Sequence, residues 1–116
     1  MLNRIGKRET VMTATVSFIR FTCEETEDSG SDEIYLSYNG EGIWFGTGLD
    51  EGEYRDINRT RQVNGEGAVV MLESDYPDSD DYLGRVVVRE SDKGQGTKTG
   101  IFNLDDAHYT LYYEVS

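Results

Sequence analysis

Apolar and polar residues alternate along most of this chain, and the three-to-four spacing of an amphipathic helix is nearly absent. Ala14, Val16 and Phe18 alternate, the phase slips at Ile19, and Phe21 and Cys23 resume it. That predicts one long strand carrying a bulge. Ile34, Leu36 and Tyr38 predict the next strand, closed by Asn39-Gly40, a dipeptide suited to the positive φ angles of a tight hairpin, with Ile43, Trp44 and Phe45 at hairpin distance beyond it. Thr47 to Gly52 reads as an acidic, glycine-rich loop, and Glu53–Asn58 as a weak strand. Asn64-Gly65-Glu66-Gly67 turns into Ala68–Leu72, and Tyr82–Arg89 is the strongest β-branched run. Ser91 to Gly96 reads as a loop, and Thr99–Leu104 as a strand. At the C-terminal end Tyr109, Leu111, Tyr113 and Val115 share one face, and His108, Thr110, Tyr112 and Glu114 the other.

About eight strands with turn signals between them predict an all-β chain, an antiparallel β-sandwich. Thirteen glycines and one proline favour short turns, and no internal repeat is present. The patterned sequence begins just after Met12, so residues 1–12 are expected to form a flexible N-terminal arm and residues 13–116 a single sandwich domain. Eight Tyr, four Phe and one Trp supply the large side chains that a small β core needs; Trp44 and Phe45, flanked by Gly42 and Gly46, are expected to anchor that core, the alternative being a sugar-stacking or partner-binding spot.

Charge narrows the range of partners. The 116 residues carry 23 acids against 11 bases, a formal net charge of -12. A phosphate backbone is recognised through a basic footprint, so nucleic acid is excluded, and bare anionic membrane would repel the chain. Only Lys7, Lys93 and Lys98 are lysines, and such acidity also suits solubility in salt. The alternative reading is therefore a structural or assembly subunit of a virion, filament or secreted particle from a salt-adapted host, its basic arm Met1–Arg8 reaching an acidic neighbour.

Cys23 is the sole cysteine, so no internal disulfide exists, and its place at the end of an apolar run predicts a buried, inert thiol. The first dozen residues lack the apolar segment of a secretory signal, and no stretch is long enough to span a membrane, which leads to the expectation of a cytoplasmic chain or a part of an assembled particle. Catalysis finds no constellation. There is no Ser-His-Asp order, no histidine pair and no phosphate-cradling glycine loop, and the lone His108 reads as a sheet residue, so a non-enzyme is expected.

The candidate chemistry lies in two acidic loops. Glu24–Glu33 falls between the first two strands, and Glu73–Gly84 holds five carboxylates between two apolar runs. Carboxylates crowded on short turns repel, and a hard cation accepting about six to eight oxygens offsets that repulsion. Glu73 and Asp75, two apart on an extended segment, would point the same way, with Asp81 returning the chain to the same sheet edge. Asp78 and Asp80 either ligate or remain surface charge. An EF-hand does not fit, because neither Asp75 nor Asp78 as first ligand puts Gly at the sixth position and Glu at the twelfth.

These loops resemble those of the conserved-region-two (C2) domain of protein kinase C, also found in synaptotagmins. The family's third loop carries an acid, any residue, an acid, five residues, an acid, two residues and a glycine. Glu73, Asp75, Asp81 and Gly84 stand at those spacings, followed by the strand Arg85–Val88. In the frame of the first loop fall Glu27, Gly30, Asp32, Glu33, Ile34 and Tyr35. Glu replaces Asp at three of the five ligand positions and Ile34 replaces a proline, so Asp28 and Asp32 are the alternative ligands in a register shifted by one. The resemblance implies a C2-like calcium-binding interaction module with one or two ions between the loops. Glu73, Asp75 and Asp81 would ligate, with Glu27 or Asp28 and Asp32 or Glu33. Family members dock on lipid through apolar loop tips and basic faces. Ser29-Gly30-Ser31 has no apolar tip, only Tyr76-Pro77 offers one, and no lysine cluster exists, so a protein partner or self-assembly is expected rather than a membrane.

Overall fold

Alternation becomes burial along the first strand, β1 (Ala14–Glu25): Ala14, Val16 and Phe18 are buried, the register slips between Phe18 and Arg20, and Phe21 and Cys23 are buried again. The bulge is what keeps both halves of the strand facing the core, since a one-residue slip turns every side chain to the opposite face. The computed structural model describes residues 13–27, 29–75 and 77–116, so the expected arm 1–12 lies outside the described residues. Seven more strands follow: β2 (Asp32–Tyr38), β3 (Glu41–Leu49), β4 (Tyr54–Val63), β5 (Glu66–Glu73), β6 (Asp81–Arg89), β7 (Thr97–Phe102) and β8 (His108–Val115), with one 3-10 turn at Glu90–Asp92.

The strands form two antiparallel four-stranded sheets, ordered β4-β1-β8-β7 and β3-β2-β5-β6. This is the expected sandwich. Phe18, Phe21, Phe102, Tyr109 and Leu111 enter the core from one sheet, and Ile34, Leu36, Leu49, Met71 and Leu83 from the other. Each large apolar side chain so buried contributes about 1.5–3 kcal/mol before conformational entropy is counted. Trp44 sits at the lateral border of this core, edge-on to Phe21 at 4.9 Å, whereas Phe45 next to it is turned out to solvent. Core anchoring therefore holds for the tryptophan and fails for its neighbour, because adjacent strand residues face opposite sides.

Several element boundaries differ from the sequence expectation, most of them by one or two residues. β3 runs on to Leu49, through the stretch expected to be loop, and β7 begins at Thr97 rather than Thr99. β4 does not stop at Asn58 but continues to Val63, because Asn58 takes a positive φ of 53° and bulges the strand without ending it. Asparagine tolerates that conformation. Most of β4 is also exposed at a sheet edge, so apolar alternation could not announce it.

The strands run up and down, so connections 26–31, 50–53, 74–80 and 103–107 gather at one end. Hydrogen bonds tie them together. Ser31 donates its hydroxyl to Asp50 Oδ1 at 2.7 Å, the Ser74 N–H donates to the Glu33 carbonyl at 2.8 Å, and the Leu104 N–H donates to the Leu83 carbonyl at 3.0 Å.

Candidate metal centre

The strand register turns two acids inward at this end. Asp32 opens β2 in phase with Ile34 and Leu36, and Glu73 closes β5 in phase with Met71 and Val69. Both are core-facing positions, and both side chains are buried. A buried carboxylate needs hydrogen bonds to persist as an anion. Asp32 Oδ2 accepts from the Tyr109 hydroxyl at 2.5 Å and from the Glu27 N–H at 2.8 Å, and Glu73 Oε2 accepts from the Glu33 N–H at 3.1 Å. Backbone N–H groups of the segment Glu24–Glu33 thus orient Asp32 within it and Glu73 on β5.

Glu27 brings the centre together. Its carboxylate, with those of Asp32 and Glu73, offers three oxygens within 4.8 Å of one another; with Asp81 and Asp105 it forms a second group within the same limit. Oε1 of Glu27 and Oε1 of Glu73 are both sealed from solvent. Oxygens bound to one calcium ion at about 2.3–2.6 Å lie at most about 5 Å apart, so either group suits one ion. The donors are all carboxylate oxygens, which favours a hard cation over zinc or copper. Five carboxylates from β1–β2, β2, β5, β6 and the β7–β8 turn fit calcium by donor type and by spacing.

The floor of the centre is the core itself. Burial pushes the Tyr109 hydroxyl well above the ordinary tyrosine range, and the hydrogen bond to Asp32 adds to the rise. Burial also raises the neighbouring Cys23 thiol to about 11, consistent with the inert thiol expected.

Of the acids singled out from the sequence, Glu27, Asp32, Glu73 and Asp81 are brought together. Glu33 is exposed, on the side of β2 opposite Asp32, and supplies its N–H to Glu73 instead of its carboxylate to the centre. Asp75 is half-buried and stands in neither group, because β5 ends at Glu73 and the two-apart geometry of a strand no longer applies beyond it. Asp28 lies outside the described residues. Asp105 was not anticipated. It sits in the turn Asp105-Asp106, where φ is 56° and 65°, and a pair of aspartates between two strand runs was the available signal.

No protein-family model and no curated protein matches the chain. Solved structures do share its fold. C2 domain A of plant extended synaptotagmin 1 superposes with a TM-score of 0.55 at 11% identity, covering 93% of this chain and 95% of that one. The C2 domains A and B of extended synaptotagmin 2 give 0.55 at 13% identity, over 100% of this chain and 47% of that chain. A structure described by the role of CC2D1B in coordinating ESCRT-III activity during mitotic reformation of the nuclear envelope gives 0.57 at 10% identity, over 91% and 55%. The chain spans about half the length of these two longer proteins. The fold is therefore C2-like, as the resemblance of the loops implied, and identities this low speak to fold alone.

Proposed function

We propose that this C2-like sandwich is a non-enzymatic interaction module that binds calcium at the carboxylate end. The observation that carries the reading is Glu27, shared by two groups of three carboxylates, one of them buried. In that arrangement Asp32, Glu73 and Glu27 hold one ion deep in the end of the sandwich, and Asp81 and Asp105 with Glu27 hold a second nearer its surface. The ion supplies charge neutralisation there. Asp32 is oriented by Tyr109, and Glu73 by the Glu33 N–H, so the residues that ligate are set before the ion arrives.

Binding of calcium would fasten connections 26–31, 74–80 and 103–107 to one another, and the stiffened end would present a partner protein with a defined surface. The scarcity of exposed lysine and the net charge of -12 support a protein partner over anionic lipid. Calorimetric titration with calcium and thermal melting against a sodium control test the reading. Calcium at a hundredfold excess over the dissociation constant raises stability by about 2.7 kcal/mol. Absence of both heat and a raised melting temperature at millimolar calcium would refute it.

A further inference from the structure

The middle of one sheet face of this acidic protein carries no acid. In the sheet β3-β2-β5-β6, Phe45 pairs with Tyr35, Tyr35 with Leu72, and Leu72 with Tyr82. Ile34, Leu36, Met71 and Leu83 face the core, so these four side chains form one row across all four strands on the outer side. The ends of the row are open to solvent: Phe45 is 59% exposed and Tyr82 46%. Tyr35 lies flat across its neighbour strand, because a Cβ at Gly42 would meet its hydroxyl at 2.8 Å. The next row down is Gly42, Ser37, Val70 and Arg85, and below it Ala68 pairs with Val87. A hollow of about 190 Å³ opens there, lined by Asn39, Glu66, Gly67, Ala68, Val87 and Arg85.

Scattered apolar residues on a surface need no explanation, but a contiguous aromatic and aliphatic face does. None of the 23 acids stands in those rows. Acids border them instead, with Glu33 above and Glu66, paired to Arg89 at 3.6 Å, below. The only charge within the three rows is Arg85, exposed, and among the described residues it forms no ion pair, whereas Arg89, further along the same side of β6, is paired to Glu66.

Size and charge select the occupant. Four strands span about 14 Å and the three rows about 14 Å along them, a patch of about 200 Å² between strand and row centres, well short of the roughly 800 Å² per partner that a stable globular interface buries. A second copy would bring its own acidic rim and a charge of -12 against the same rim. A short segment avoids both problems. We propose that this face docks a short amphipathic segment of a partner protein, its apolar side chains on the Phe45–Tyr35–Leu72–Tyr82 row and one carboxylate on Arg85. The segment is mostly apolar, because a strongly acidic one would be turned away by the net charge, and on this face its carboxylate has one cation without an ion pair among the described residues to meet, Arg85.

The test uses the full chain in chelator, which separates this face from any calcium effect. Random peptides displayed on phage are selected on the immobilised protein, and a synthetic representative is titrated by fluorescence anisotropy. Selection of apolar peptides bearing one Asp or Glu is expected. Phe45→Ser, Tyr82→Ser and Arg85→Glu, all exposed and checked for unchanged melting, should each weaken binding by about tenfold or more. Exchanging the peptide acid for Lys should restore binding to Arg85→Glu. No selected peptide, or peptides indifferent to all three substitutions, overturns the proposal. So does a dimer in sedimentation equilibrium that Tyr82→Ser dissolves, or binding to phosphatidylcholine vesicles that Phe45→Ser abolishes, since either gives the face a different occupant.

Discussion

Tyr109 donates its phenolic proton to Oδ2 of Asp32 across 2.5 Å, joining the start of β8 in one sheet to the first residue of β2 in the other. Both side chains are buried, and the Tyr109 ring packs against Phe21 at 6.0 Å. The carboxylate end is therefore continuous with the aromatic core. A change in either is felt by the other.

Tyr109→Phe keeps the ring and removes the donor. Asp32 Oδ2 would then hold the Glu27 N–H alone of the two hydrogen bonds above, and a hydrogen bond to a buried charged group is worth about 1.5–3 kcal/mol. Urea denaturation at neutral pH should show the unfolding free energy falling by that amount, and the midpoint by that amount divided by the unchanged slope. A midpoint equal to wild type would mean that the hydroxyl does not support the carboxylate.

Glu27→Gln separates charge repulsion from ligation. Removing the charge common to both carboxylate groups relieves repulsion between oxygens within 4.8 Å, so in chelator and low salt the variant should be more stable, on the order of 1 kcal/mol. In calcium the order should reverse, because the shared ligand is gone. Melting curves of both proteins in chelator and in calcium check this crossing. Parallel shifts in the two conditions would remove Glu27 from the centre.

Alkali should weaken the fold through its buried acids. The Cys23 thiol is raised from 9.0 to about 11 by burial, and burial pushes Tyr38 and Tyr113 up as well. Above pH 9 the unfolded chain gives up the Cys23 proton first, so the folded state binds more protons and stability falls as pH rises. Its contribution is complete below pH 9 and is lost toward pH 11, about 2–3 kcal/mol for a shift of this size. Cys23→Ala, compared with wild type from pH 8 to 11, should lose less stability over that window. Equal losses would assign the whole effect to the tyrosines.

What could be read from the residues depended on whether burial was one-sided. β1, β2, β5 and β8 bury one face, so their alternation survives in the sequence, even across the bulge at Ile19. β4 is an edge strand with few buried residues, and Phe45 is turned outward where a core position was expected, because neither register nor edge position is encoded locally. The acids show the same division. Glu73 and Asp81 face each other directly across β5 and β6, a relation that hairpin spacing makes visible. Asp32 against Tyr109 spans 77 residues, and Asp105 against Glu27 joins connections from the two ends of the chain. Contacts of that range arise from topology, which sequence spacing does not carry.

Asp105 and Asp75 therefore give opposite predictions from geometry and from spacing. Loop spacing makes Asp75 a ligand and is silent on Asp105; the folded chain places Asp105 with Glu27 and Asp81, and leaves Asp75 out of both groups. Asp105→Asn should lower calcium affinity by about tenfold, the weight of one lost charged ligand, while Asp75→Asn should leave it within about twofold. Stability in chelator should barely change for Asp105→Asn, because the side chain is exposed and asparagine also accepts the positive φ of 56° at that turn. Calorimetric titration of the two variants side by side decides between the two assignments. If Asp75→Asn carries the loss and Asp105→Asn none, the ion sits further along connection 74–80, and the centre follows the spacing of that loop rather than the convergence on Glu27.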